Sequence, residues 1–185
     1  MESWTQLTDP ELVRKMSGGS EDAFAVIYQR YGPPVYRFAL HLLTDSQAAE
    51  EIVQETFLTL LRSPRGYDPS RGSLLSWLLG IARNLARRAA GSDWETDGLE
   101  DSASEIPGPI DLAGDLTRRE TIGAVRQAVD SLPVAYREVV ILCELQELDY
   151  LEVSRILKCP VGTVRSRLHR ARNMLASKLQ ARCFV

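Results

Sequence analysis

Cysteine and histidine are scarce in this chain, and their scarcity removes several kinds of chemistry at once. The three cysteines, Cys143, Cys159 and Cys183, are odd in number, widely spaced and never in a Cys-x-x-Cys pair. Neither a disulfide framework nor a zinc site is expected from them. With only His41 and His169, a metal cluster or a Ser-His-Asp set lacks its usual parts. His41 lies among apolar residues with no acid or nucleophile placed to use it, so it reads as structural. No segment approaches ~20 continuous apolar residues, and the N-terminus has no apolar run of the signal-peptide kind, so a cytoplasmic protein without membrane insertion is expected. Alternating Val/Ile-rich strands and Gly-rich phosphate loops are also missing. The remaining pattern reads as all-α, with no metal, no cofactor and no catalytic residues: not an enzyme.

Charge is present in abundance but unevenly placed. The overall net charge of −3 conceals blocks of opposite sign. Met1–Leu60 carries −5, Leu61–Ala90 carries +5, Gly91–Ser131 carries −7, Leu132–Pro160 carries −2 and Val161–Val185 carries +6. Two basic blocks alternate with acidic ones, which implies two separate anion-seeking surfaces.

The later basic block gives the strongest single signal. In Asp149–Arg172, Asp149 is a good N-cap, and Tyr150, Val153, Ile156 and Leu157 come after it at helical spacing. Pro160 stops that helix and suits the first turn of the next. In the second helix Val164, Leu168, Ala171 and Leu175 fall within a narrow arc, and Ser166, His169, Arg170 and Asn173 lie opposite, with Thr163, Arg165, Arg167 and Arg172 on the flanks. A short helix, a tight turn and an arginine-studded second helix make a helix-turn-helix whose second helix can reach base edges in the major groove. No acidic residue occurs from Val161 to Val185, so nothing on that helix neutralises its arginines.

The first half holds two further faces. Glu21–Tyr31 places Phe24, Ile27, Tyr28 and Tyr31 on one side; Gly32-Pro33-Pro34 is expected to interrupt that helix before it resumes through Val35, Phe38, Ala39, Leu42 and Leu43. Thr44 or Asp45 caps a third helix, with Gln47 able to complete a capping box from Thr44. On that helix Ile52, Val53, Thr56, Phe57 and Leu60 share the buried side, while Glu51, Gln54, Glu55 and Leu58 share the other. Leu58 projecting among acids suits a protein-docking surface better than a solvated face. Arg62–Gly72 is a basic loop containing Tyr67, and Ser73 caps a helix over Leu74–Ala90. The expected core face there is Leu74, Trp77, Leu78, Ile81, Ala82 and Leu85, with Arg83 and Arg87 opposite and Asn84 and Arg88 on the flank. Cations beside aromatics suit a single strand, because bases stack on rings while the backbone tracks the charge.

Between these halves, Gly91–Gly114 has few large apolar residues and a run of acids, as a flexible linker would. The expected architecture is therefore two small helical domains, 1–90 and 115–185, joined by an acidic linker at 91–114. In the second, Leu116, Ile122, Val125 and Val129 build a helix ended by Ser131-Leu132-Pro133, and a helix over Val134–Leu148 buries Tyr136, Val139, Val140 and Cys143.

Three of these segments carry a family resemblance. Ala49-Glu50-Glu51-Ile52-Val53-Gln54-Glu55-Thr56-Phe57 resembles the core-polymerase-binding helix of bacterial sigma factors. Trp77-Leu78-Leu79-Gly80-Ile81-Ala82-Arg83-Asn84-Leu85-Ala86 resembles their helix for the −10 promoter box. Leu132-Pro133-x-x-Tyr136-Arg137-Glu138-Val139, with Pro160 to Arg172 after it, is similar to their −35-reading domain. Two domains and one linker fit the small extracytoplasmic-function (ECF) subfamily, and the likeness runs from about Asp22 to Leu179.

The resemblance implies a promoter-specificity subunit that binds core RNA polymerase through its clamp helices and flap. Glu51, Gln54, Glu55 and Leu58 would dock on polymerase. Arg71, Trp77, Arg83, Asn84, Arg87 and Arg88 would open and hold the −10 strand. Thr163, Arg165, Ser166, Arg167, His169 and Arg170 would contact the −35 duplex, and an anti-sigma factor would be a further partner. The chain also departs from the pattern: Lys158 stands where the family has Gly in the turn, Leu74-Leu75 replaces Phe-Arg, and Glu147-Leu148-Asp149 lacks the customary Gly and Ser. Two other readings compete. A dimeric duplex-binding regulator has no use for the second basic block with Trp77, and a metal-dependent hydrolase using Glu50, Glu51 and Glu55 lacks a His or Asp cluster to complete its site.

Overall fold

The computed structural model describes residues 4–91 and 118–183, and every regular element among them is helical. Eight α-helices run in the order α1 (Asp9–Ser17), α2 (Glu21–Leu43), α3 (Ser46–Arg62), α4 (Leu74–Ala90), α5 (Arg118–Asp130), α6 (Val134–Val140), α7 (Tyr150–Leu157) and α8 (Val161–Cys183). Short 3₁₀ turns at Trp4–Gln6 and Pro64–Gly66 and a π turn at Ile141–Leu145 complete them. The chain divides into two compact units, one formed by the chain up to Ala90 and the other by most of the residues after it. The expected linker at 91–114 and the start of the second domain at 115 lie outside the described residues, Gly91 excepted.

In the first unit α2 is the central element, packed against α1, α3 and α4. Ser20 caps it, accepting from the Ala23 amide, and Ile27, Val35, Phe38 and Ala39 on its inner side are fully buried. The expected break at Gly32-Pro33-Pro34 does not occur, because helix continues through both prolines to Leu43. A proline clashes with the Cβ of the residue before it when that residue is helical; Gly32 has no Cβ, which removes that clash for Pro33 though not for Pro34. Burial of the residues on either side offsets the missing backbone hydrogen bonds. At the helix end Thr44 turns left-handed (φ 56°) and closes α2. Asp45 caps α3, its carboxylate accepting from the Gln47 and Ala48 amides, so Thr44 forms no capping box with Gln47.

The segment before α2 adds an anchor that the sequence pattern leaves unread. Asp9 takes a charge-assisted hydrogen bond from Arg30 at 2.8 Å and one from the Tyr31 hydroxyl at 2.6 Å. Burial, reinforced by the Asp9 carboxylate, pushes the Tyr31 phenol well above its ordinary value. Leu12, Val13 and Met16 of α1 are buried beneath this clasp.

In the second unit α8 packs against α5 and α6. Val164, Leu168 and Ala171 form its buried stripe, as their spacing requires, while Leu175, expected with them, is half-buried. Leu132, Val139, Ile141 and Leu142 are also buried in the unit. Three expectations shift here. The helix over Val134–Leu148 is an α-helix only to Val140 and then widens into the π turn, which buries Ile141 and Leu142 and leaves Cys143 half-buried. Tyr136 is only half-buried. Val125, expected in the core, is 40% exposed; Ala128 and Val129, one turn closer to the Leu132-Pro133 corner, are buried. The expected core residues Leu116 and Ile122 lie outside the residues whose side chains are described. That corner is fixed by Arg137, whose guanidinium donates twice to the Leu132 carbonyl.

Candidate polymerase and nucleic-acid interfaces

On α3, Ile52, Val53, Thr56, Phe57 and Leu60 are buried, so Glu51, Gln54 and Glu55 project outward and Leu58 is half-buried at their margin. Periodicity puts Phe24 and Tyr28 on one side of α2 and Phe57 on the inner side of α3, but does not show the meeting of the three rings beside the acidic face. Phe24, Tyr28 and Phe57 interlock with ring centroids 4.8–6.2 Å apart. Together with Pro33, Gln54, Leu58 and Leu61 they line a cleft of about 830 Å³ between α2 and α3. Tyr28 and Leu61, 47% and 44% exposed, form its open lips. Gln54 and Leu58 of the outward face line this apolar groove and Glu50 is the acid at its edge, with Glu51 and Glu55 exposed beside it, an arrangement suited to holding a partner helix. Among the described residues no group of three or more His, Cys, Asp or Glu side chains is placed to hold a metal, so the α3 carboxylates form no such site.

On α4 the buried stripe is rotated from the expected one. Leu74, Leu78, Leu79, Ala82 and Ala86 are fully buried, whereas Trp77, Ile81 and Leu85 are half-buried. The rotation carries Arg83 to the inside, where it is 6% exposed. Placing Arg83 opposite the core face is therefore wrong. Six leucines and isoleucines on one helix allow more than one apolar stripe, and neighbouring helices choose between them. Asn84, Arg87 and Arg88 remain exposed. At about 100° per residue they share an arc with Trp77 and Gly80.

Trp77 links this arc to the preceding loop. The Tyr67 ring lies 6.1 Å from it, and a Cβ added to Gly66 would sit 3.1 Å from its Cζ2 atom. Glycine at 66 therefore lets the loop backbone close over the indole. Downstream, Asp68 accepts from the Ser70 amide and hydroxyl, which folds the loop sharply ahead of exposed Arg71. An aromatic pair at the start of α4, exposed Arg71 in the loop before it, and exposed Arg87 and Arg88 about 15 Å further along the same arc of the helix supply the kinds of group that strand-binding chemistry needs.

On α8, Arg165, Ser166 and His169 are exposed and Thr163, Arg167 and Arg170 are half-buried. The Ser166 hydroxyl donates to the Thr163 carbonyl, and His169 and Asn173 approach at 3.4 Å. Not every arginine is left unneutralised. Glu144 of the π turn takes two hydrogen bonds from Arg172, the shorter at 2.5 Å, because an acid outside the helix can reach what no acid inside it does. Beside that pair, burial and the Glu144 charge push the Cys143 thiol up to about 11, which keeps it protonated and unreactive near neutral pH.

The turn before α8 is tight and strained. Lys158 is left-handed (φ 54°, ψ 44°), as is Glu147 (φ 53°) ahead of α7, and these are the two places where the expected glycine is missing. A non-glycine residue there costs about 1–2 kcal/mol. Ser154 holds the turn closed: its carbonyl accepts from the Lys158 and Cys159 amides, and its hydroxyl donates to the Cys159 carbonyl at 2.7 Å. Asp149 caps α7 through the Leu151 and Glu152 amides at 2.8 Å.

Comparison with known proteins agrees with both halves of this description. Residues 27–96 match Sigma-70 region 2 and residues 122–175 match Sigma-70, region 4. The ECF RNA polymerase sigma-E factor of Escherichia coli strain K12 is 33% identical over 190 residues, covering 95% of this chain and 96% of that one. The ECF RNA polymerase sigma factor SigE of Mycolicibacterium smegmatis is 34% identical over 158 residues; these cover 83% of this chain but only 60% of that longer relative. Among solved structures, the sigma factor RpoE of Bartonella quintana, crystallised with the anti-sigma factor NepR, superposes with a TM-score of 0.62 at 25% identity, over 85% of this chain and 96% of that one. Two sigma-70 regions in the right order, and a relative one-third identical along nearly the whole chain, place this protein in the ECF family of RNA polymerase sigma factors.

Proposed function

We propose that the three interfaces divide the work of promoter initiation in chain order. Residues 1–90 act as the region 2-like domain, 91–114 as the linker and 115–185 as the region 4-like domain. Glu51, Gln54, Glu55 and Leu58, with the aromatic cleft beside them, take core polymerase through its clamp helices, and the second domain meets the flap. Trp77 and Arg71, with Asn84, Arg87 and Arg88 further along the same arc of α4, hold the opened −10 strand, while buried Arg83 supports that surface from inside. Thr163, Arg165, Ser166, Arg167, His169 and Arg170 meet the −35 duplex. The protein performs no catalysis itself and works in the cytoplasm, where polymerase and promoters are.

The observation that carries this reading is the sequence of surface chemistries: an acidic face beside an apolar groove, then two basic faces, of which only the first includes aromatics. A duplex-only regulator needs just the last. An anti-sigma factor is a further partner, as for the Bartonella quintana relative, and the acidic, apolar α2–α3 groove is a surface it would compete for.

Purified protein mixed with core polymerase should start transcripts from a defined promoter; failure to form any complex with core polymerase would overturn the proposal. Within it, Glu51→Lys combined with Glu55→Lys should weaken polymerase binding at least about tenfold by reversing the charge of the face beside the groove. Binding of −35 duplex by the same variant should be unchanged, and equal loss of both would make α3 a structural element only.

A further inference from the structure

Two residues from outside α8 each take hold of one of its arginines, and they do so by different chemistry. Glu144 pairs with Arg172 at 2.5 Å and cancels its charge. Two turns earlier, on the same side of the helix, Arg165 lies over the Tyr150 ring, its Cζ 5.7 Å from the centroid. Among the described residues Arg165 makes no ion pair. A ring face attracts a guanidinium through its quadrupole without occupying the N–H donors, which lie in the guanidinium plane. Tyr150 therefore orders Arg165 while leaving both its charge and its hydrogen-bonding edge available.

Tyr150 stands at a capped helix start. It is the first residue of α7, directly after the Asp149 cap, and is 36% exposed, too open to be explained as core. An exposed arginine loses rotamer freedom when it binds, and a side chain already ordered loses less.

We propose that Tyr150 is a positioning residue for promoter recognition: its ring pre-orients the Arg165 guanidinium, so that part of the −35 affinity and specificity of α8 originates in α7. This rests on the reading of α8 as the duplex-binding helix.

The test uses reconstituted holoenzyme and a library of duplex promoters randomised at the −35 element, with the selected sequence then titrated. Tyr150→Ala should weaken binding about threefold and broaden preference at the position that Arg165→Ala also relaxes, and at no other. Tyr150→Phe should behave as wild type, because the face of the ring is retained. In an Arg165→Ala background, Tyr150→Ala should have no further effect. Thermal unfolding of all variants monitors the fold, and a Tyr150→Ala protein that melts with the wild type keeps the comparison valid; should it melt lower, Tyr150→Leu, which preserves apolar bulk without a π face, replaces it with the same expectation. Tyr150→Phe losing as much as Tyr150→Ala would overturn the proposal by making the hydroxyl a direct DNA contact. Additive losses for Tyr150 and Arg165 would overturn it by making them independent. Wild-type binding by Arg165→Ala would overturn both the proposal and the role of Arg165 in the duplex interface, whereas a loss for Arg165→Ala with none for Tyr150→Ala would overturn the positioning role alone.

Discussion

α4 and α8 are both arginine-rich, both amphipathic and both without a single acid, yet the fold disposes of their charge differently. α4 withdraws Arg83 into the protein at 6% exposure and keeps Asn84, Arg87 and Arg88 outside, further along the arc that carries Trp77. α8 keeps its stripe wholly apolar and all its described arginines at least partly exposed, but ties Arg172 to Glu144 and rests Arg165 on Tyr150. The first surface is an aromatic shelf with cations before it and further along the helix; the second is a row of individually oriented cations. Counting charges along the chain treats the two as equivalents. Their different neighbours make one suited to unpaired bases and the other to the edges and phosphates of a duplex.

That contrast can be broken most directly by truncating one arginine on each helix. Arg170→Ala should cost about 1–3 kcal/mol of promoter affinity and relax specificity at one duplex position, while Arg88→Ala should weaken binding uniformly and reduce the salt slope by about one. Titrating each variant holoenzyme against matched and mismatched promoters at several salt concentrations checks this. The same uniform loss from both would erase the distinction. A smaller effect separates the buried arginine from the exposed ones. Arg83→Ala should destabilise the fold by about 1–2 kcal/mol through lost packing of its stem and unpaired neighbours. Arg87→Ala should change stability by under about 0.5 kcal/mol, as read by urea unfolding. The smallest concerns the turn that presents α8. Lys158→Gly should relieve left-handed strain but enlarge the entropy of the unfolded chain, for a net gain of about 0.5 kcal/mol. A loss on the same urea curve would mean that the lysine side chain contributes contacts of its own.

How much of the fold and its surfaces is legible in the sequence varies by element. The buried stripe of α8 and the outward acids of α3 come from spacing alone, because each helix has only one apolar arc available. α4 has several, and there spacing points to a stripe about one residue's rotation away from the true one, which misplaces Arg83. The two prolines in α2 read as a break because the rule for them is local, whereas the packing on either side that keeps the helix whole is not. Glu144 and Tyr150 are invisible as partners of α8, since nothing in the 28 positions separating Glu144 from Arg172 signals that they meet.

The sequence by itself determined the all-helical class, the alternation of acidic and basic surfaces, the helix-turn-helix and, through three motifs in order, the family. These depend on period, capping and composition, which act within one or two turns of chain. Only the tertiary structure decided which arginine is buried, how the α2 aromatics set an apolar groove beside an acidic face, and which arginines of α8 are neutralised or merely held. Those outcomes depend on contacts between residues far apart in sequence, where the energy of one side chain is set by neighbours that no local pattern names.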